Sequence, residues 1–236
     1  MKRDLFCNYL TPTKSEFREE NIIDDIYGLP RLIIPKDILI EEEVIALDTS
    51  RDRLVDNAIG NYNYECIMLK LFYSYALKNY KSYLAKENSN SDFWCRGYID
   101  QIIKEIYCIY ERGLHIINYL YEFKVQNGLQ FNNRVLKKLN EQDSNLYNEI
   151  KIISDGLHDE RNNKLRNDLT HNFSPSFKTY IPEYYDENNY GWKLLSPYSL
   201  DELFEIINDC FDYLKQLKLL LLNKLKEVYP SSVARK

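Results

Sequence analysis

The feature that most limits the fold of this chain is a long stretch of sequence with helical spacing. From about residue 56 to residue 86, apolar residues recur at intervals of three and four, the period of one helix face. They are Ile59, Tyr62, Cys66, Leu69, Tyr73, Ala76, Leu77 and Tyr80. Glycine and proline number only seven each in 236 residues, so few residues interrupt such patterns. The sequence therefore favours long helices over a sheet-rich fold.

Three further helical patterns follow along the chain. The second runs from about residue 93 to residue 124 and is expected to end at Asn127-Gly128, since glycine commonly terminates helices. The third runs from about residue 132 to residue 171, with an interruption expected near residues 142–144. The last begins at Ser199, a typical cap residue with Glu202 three positions later, and continues to about residue 228.

Four helices with apolar faces predict an all-α protein, and the simplest arrangement is an up-and-down four-helix bundle. Residues 1–50 contain three prolines and no sustained helical period, so we expect an irregular N-terminal arm there. The bundle domain is then expected to occupy residues 51–236. Residues 172–197 form a connection too long for a simple turn, which predicts a long loop or hairpin before the last helix.

Composition limits the classes of partner. The formal net charge of −5 argues against non-specific coating of nucleic acid. It does not exclude a small cleft that is locally basic. The five cysteines are scattered without paired spacing, which is typical of a reduced cytoplasm. The most apolar run, residues 217–225, is too short and too charged to span a bilayer. We therefore expect a soluble cytoplasmic protein with no membrane partner.

One polar segment stands out near the end of the third helical pattern, and it reads Arg166-Asn167-x-x-x-His171. Helical geometry predicts a polar stripe on one face and an apolar face opposite, with Arg166 flanking the stripe. The stripe comprises Glu160, Asn163, Asn167 and His171, and the apolar face comprises Leu157, Leu165 and Leu169. A fixed positive charge, an amide and a titratable imidazole would thus project together, away from the core.

Two other interpretations of this segment follow from the residues. A solvated helix face, with a histidine placed favourably at the helix C-terminus, requires no function at all. A metal site of His158, Glu160 and His171 is disfavoured, because His158 points to a different side of the helix. No nucleophile stands beside a base, and we predict neither a metal nor another cofactor.

The segment Arg166-Asn167-Asp168-Leu169-Thr170-His171 resembles the motif of the HEPN superfamily, in which an arginine and a polar residue precede a histidine. Followed by a tyrosine-rich connection and one more long helix, it looks most like the Cthe_2314-like HEPN group. The resemblance covers roughly residues 56–228 and implies a helical bundle. It also implies a homodimer whose motif helices face each other, so that Arg161, Lys164 and Arg166 of both chains form a basic groove.

The resemblance further implies a metal-independent endoribonuclease with a toxin–antitoxin or antiphage defence role, RNA as substrate and an antitoxin or other regulatory protein as partner. His171 would be the general acid or base, Arg166 the phosphate clamp and Asn167 an orienting group. Glu160, Arg161 and Asn163 would bind substrate or position those groups. Some relatives are instead non-catalytic modules that bind nucleotides or proteins, and a helical interaction protein without a site is the third reading.

Aromatic residues of the connection could also meet RNA. They are Tyr180, Tyr184, Tyr185, Tyr190 and Trp192. Rings of this kind can stack on unpaired bases. Packing over the open end of the bundle is the preferred interpretation, because it requires no ligand.

Overall fold

The computed structural model describes residues 40, 49–87, 90–163, 165, 179–186, 189–195 and 198–229. The elements are α1 (Ser50–Leu84), α2 (Ser91–Leu120), α3 (Phe131–Gln142), α4 (Ser144–Leu157), β1 (Thr179–Asp186), β2 (Asn189–Leu195) and α5 (Leu200–Val228). Helices dominate these ranges, which confirms the all-α class, and the connection before the last helix contains a hairpin. Of the predicted N-terminal arm, only residues 40, 49 and 50 are described. No helix within the described ranges has an apolar stretch long enough to cross a membrane.

Local capping decides where two of the long helices begin. The Ser199 amide donates to the Glu202 carboxylate at 2.6 Å, and the Glu202 amide donates back to the Ser199 hydroxyl at 3.2 Å. This reciprocal cap is the one that the sequence predicts for the last helix. Helix α1 starts six residues earlier than predicted, because Thr49 and Asp52 form a similar reciprocal pair at 2.9 and 3.2 Å.

Helix α2 ends at Leu120, and the predicted end at Asn127-Gly128 is wrong. The Asn118 side chain accepts a hydrogen bond from the Val125 amide at 3.0 Å and donates to the Val125 carbonyl at 3.2 Å. Between Asn118 and Val125 the chain turns through Glu122 and Lys124, which both have left-handed backbone conformations. An asparagine at the end of the helix therefore satisfies the backbone of the turn that follows it.

One compact unit of the chain has a core rich in aromatic residues. Among the described residues, the unit comprises 71–87, 90–104, 160–163, 165, 179–186, 189–195 and 198–208. Tyr73 and Tyr80 of α1 meet Phe204 of α5 edge to face, with ring centroids 6.3 and 5.0 Å apart. Each such pair contributes roughly 0.5–1.5 kcal/mol beyond the area that it buries. The Tyr80 hydroxyl also donates a hydrogen bond to the Asp201 carboxylate, so its polar end is satisfied.

The second compact unit brings its helices together through small residues. Among the described residues, it comprises 40, 49–70, 105–159 and 209–229. Gly156 of α4 lies against the ring of Tyr213 of α5, where a methyl group would overlap the ring. Gly113 of α2 leaves room for Leu217 of α5 in the same manner. The apolar faces of these helices are buried, as their spacing predicts, because close approach removes them from water.

The predicted interruption of the third helical pattern is confirmed at Asp143, which separates α3 from α4. Its carboxylate accepts hydrogen bonds from the Leu146 amide at 3.0 Å, the Tyr121 hydroxyl at 2.7 Å and Lys224 at 3.0 Å. Burial opposes ionisation, but these hydrogen bonds together lower the pKa of Asp143 to about 2. Asp143 therefore caps α4 and also links α4 to α5 within this unit through its ion pair with Lys224.

We expect Asp143→Ala to lower the free energy of unfolding by about 1–3 kcal/mol, since it removes a helix cap and a charge-assisted bond. Because the folded pKa lies below the unfolded value, this stabilisation is present above pH 3.8 and lost as the pH falls through about 2. Urea unfolding at several pH values measures it. Asp212→Ala, at an exposed position of α5, is the matched control and should change little. A deficit equal at all pH values would contradict the assignment.

Candidate functional site

A second break, which the sequence analysis did not predict, separates α4 from the polar segment. Helix α4 ends at Leu157, His158 and Asp159 are non-helical, and helix resumes at residues 160–163. The Nδ1 atom of His158 lies 2.7 Å from the Ser154 carbonyl oxygen, and its ring packs against Tyr107 of α2 at 5.3 Å. The Tyr107 hydroxyl donates to the Leu157 carbonyl at 2.9 Å, which satisfies a group exposed by the break.

Two of the three histidines of the chain have packing roles. His158 closes α4, and His115 of α2 is buried with its ring stacked on Phe131 at 4.2 Å. Burial and the nearby Arg112 lower the pKa of His115, although Glu111 opposes them. Within the described ranges, no three histidine, cysteine or acidic side chains cluster as a metal site. His171, the third histidine, lies outside the described residues, so the disfavoured metal set remains untested.

The beginning of the polar segment has one buried side and one exposed side. Asn162 and Leu165 are 3% and 1% exposed, whereas Glu160 and Arg161 are exposed and Asn163 is half-buried. Glu160 and Asn163 thus lie away from the face that Leu165 buries, as the predicted stripe requires. The burial of Asn162 was not predicted, because asparagine is seldom found in a core.

The three residues that give the motif its chemistry lie outside the described residues. Arg166, Asn167 and His171 therefore have no assigned positions, and their roles remain predictions, as do those of Glu160, Arg161 and Asn163. The described helical residues that lead into the motif belong to the same compact unit as the hairpin that follows it.

The hairpin orders the aromatic positions of the connection. Its antiparallel register pairs Tyr180 with Leu194, Pro182 with Trp192, and Tyr184 with Tyr190. Tyr185 coincides with a register irregularity between Tyr184 and Asp186. The five aromatic residues singled out in the sequence therefore all belong to the two strands of this hairpin.

Long helices with a two-stranded hairpin before the last one define this chain as an all-α protein. The profile of the Cthe_2314-like HEPN family matches it over residues 53–226, which is more than half of its length. The chain therefore belongs to the Cthe_2314-like HEPN family. No curated protein and no solved structure gives a significant match.

Proposed function

We propose that this protein is a metal-independent endoribonuclease of the HEPN type. The observation that carries the proposal is that the family match includes the segment Arg166-Asn167-x-x-x-His171. The same match leaves out residues 1–52, in keeping with our proposal that residues 1–50 form an arm and residues 51–236 the HEPN-like domain.

The burial pattern ahead of the motif supports the proposed stripe. Helical spacing extended from Glu160 and Asn163 reaches Asn167 and then His171, at steps of three and four residues. The buried Leu165 lies on the opposite side. Arg166 would flank the stripe, one position from Asn167. An arginine and a histidine presented in this way are free to meet a substrate rather than the core.

The proposed chemistry uses the 2′-hydroxyl of the RNA as nucleophile. The 2′-hydroxyl gives up its proton to a base as its oxygen bonds to the adjacent phosphorus, the bond between phosphorus and the 5′-oxygen breaks, and the 5′-oxygen takes a proton from an acid. The products are a 2′,3′-cyclic phosphate and a 5′-hydroxyl. His171 suits the proton transfers because imidazole titrates near neutrality. Arg166 suits the charge on the phosphorane because guanidinium offers paired donors to phosphate oxygens.

The remaining polar residues take supporting roles in this proposal. Asn167 orients His171 or bonds the substrate, and Glu160, Arg161 and Asn163 bind or position groups around it. Two motif helices facing each other in a homodimer would concentrate positive charge locally on a chain of net charge −5. Release of such an activity in a cell suits a toxin–antitoxin or antiphage defence system, with an antitoxin or other regulatory protein as partner.

The alternative is a non-catalytic module that binds nucleotides or proteins. The acidic character of the chain, with a sequence pI near 5.4, favours this alternative, since nucleic-acid binding usually rests on a basic surface. In that case purified protein leaves RNA intact, and the motif variants alter binding of a nucleotide or protein partner instead.

The decisive experiment compares RNA with a matched substrate that lacks the nucleophile. We expect purified protein to cleave single-stranded RNA in EDTA and to leave a 2′,3′-cyclic phosphate end. The same oligonucleotide with 2′-deoxy residues should resist cleavage, because no 2′-oxygen is available to attack. Mass spectrometry of the products identifies the 2′,3′-cyclic phosphate end. Intact RNA after prolonged incubation, or cleavage of the 2′-deoxy strand, would remove the support for this mechanism.

A further inference from the structure

Two glutamates of neighbouring helices meet in the second compact unit. The carboxyl groups of Glu65 of α1 and Glu105 of α2 lie within hydrogen-bonding reach of each other. The Glu65 side chain is 15% exposed, and its Oε1 atom accepts a hydrogen bond from Arg112 Nε at 3.3 Å. One oxygen of Glu105, Oε2, is buried and has no hydrogen-bond partner.

A hydrogen bond between two carboxyl groups requires a proton, because ionised carboxylates only accept hydrogen bonds. Burial raises the pKa of Glu105 to about 7, and the hydrogen bond to Glu65 and its charge add to this effect, whereas Arg112 opposes it. Like charges at such a site cannot both ionise without repulsion. The pair as a whole therefore retains a proton at pH values where an ordinary glutamate has lost it.

The charges around the pair come from three helices. On α2, Glu105 is followed by Cys108, Glu111 and Arg112. The charges of both glutamates raise the pKa of the exposed Cys108. On α1, Cys66 stands beside Glu65, and on α5 the charge of Lys218 acts on Cys66. Arg112 is thus the positive group in direct contact with Glu65, whereas Lys218 of α5 acts on Cys66, which follows Glu65 in the chain.

We propose that Glu65 and Glu105 share one proton that fastens α1 to α2 within this unit, and that its loss in a neutral to alkaline medium loosens this helix pair. The shared proton adds a bond between helices that are 40 positions apart at these residues. After its loss, two carboxylates face one guanidinium in a half-buried site. The shared proton does not depend on RNA cleavage. The proposal therefore holds equally if the chain is a binding module.

The sign of the effect follows from linkage. In the unfolded chain Glu105 ionises near its usual pKa of 4.5, whereas in the folded chain it ionises near 7. Stability therefore falls as the pH rises between those two values, because the unfolded chain releases the proton first. Above that window the folded pair itself is ionised, and the contact between the helices weakens.

We expect Glu105→Gln to abolish this pH dependence, because the amide donates to Glu65 without titrating. The ratio of its unfolding equilibrium constant to that of wild type should fall by about tenfold or more between about pH 5 and pH 8. This factor already allows for solvent screening. Urea unfolding at both pH values measures the ratio. Glu149→Gln, at an exposed glutamate of α4, is the matched control and should follow wild type.

A direct titration keeps the proposal testable without any variant. With ¹³C-labelled glutamate, one carboxyl resonance of wild-type protein should titrate near pH 7, and Glu105→Gln should lack it. Glu65→Gln should shift that midpoint to lower pH, since it removes the repelling charge. Titration of every glutamate below about pH 6, or equal pH dependence in wild type and Glu105→Gln, would overturn the shared proton.

Discussion

Replacing His171 with alanine is expected to lower the rate constant of RNA cleavage by about 10²–10⁴-fold, the usual contribution of a general acid or base. In the proposed mechanism, this variant removes the imidazole that accepts a proton from the 2′-hydroxyl and donates one to the leaving 5′-oxygen. Single-turnover cleavage of labelled RNA in EDTA measures the rate. Circular dichroism and thermal unfolding should match wild type, because the predicted polar stripe would keep this side chain out of the core.

The pH profile separates a catalytic histidine from a structural one. In wild type, the cleavage rate should change through a transition near the pKa of an imidazole, whereas His171→Ala should lose that transition along with the rate. His158→Ala is the informative comparison, since His158 closes α4 against Tyr107. That variant should lose stability while its residual folded fraction keeps the wild-type pH profile. Full activity in His171→Ala would exclude this residue from the chemistry.

Much of the helical framework could be predicted because its signals are local. The spacing of Leu69, Tyr73 and Tyr80 locates α1, since burial of one face requires that period. The reciprocal cap of Ser199 and Glu202 needs only four consecutive residues. These features depend on near neighbours in the chain, so the sequence alone carries them.

The features that could not be predicted depend on distant residues. The break at His158 is supported by Tyr107, which is remote in sequence and reaches the end of α4 through tertiary packing. The pair of Glu65 and Glu105 likewise requires knowledge of how α1 and α2 align. Periodicity places each glutamate on a helix, but it does not indicate that their carboxyl groups meet.

The candidate site also has features that the sequence predicts and features that it does not. The motif itself, and the separation of Glu160 from Leu165, follow from helical geometry within a few residues. The burial of Asn162 does not follow, because a polar residue enters a core only where tertiary neighbours receive it. The proposed cleft depends on a second chain as well, so its geometry is beyond the reach of one sequence.

Arg166→Ala is expected to lower the cleavage rate by about 10²–10³-fold, equivalent to roughly 3–4 kcal/mol of transition-state stabilisation. The expected loss follows from the proposed contact of the guanidinium with the charge that develops on the phosphorane. Arg53→Ala, at an exposed arginine of α1, is the matched control and should keep the wild-type rate. Arg166→Lys should recover only part of the rate, since lysine offers no paired donors. A wild-type rate in Arg166→Ala would contradict the role of the clamp.

Mixing the two inactive variants tests whether the site is composite. If each site takes Arg166 from one chain and His171 from the other, a heterodimer of the variants rebuilds one intact site. Half of the randomly exchanged dimers are heterodimers with one of two sites restored, so about a quarter of wild-type activity should return. The measurement is cleavage after subunit exchange, with each variant alone as the control. If both residues act within one chain, mixing restores nothing, and recovery therefore distinguishes a shared cleft from two separate sites.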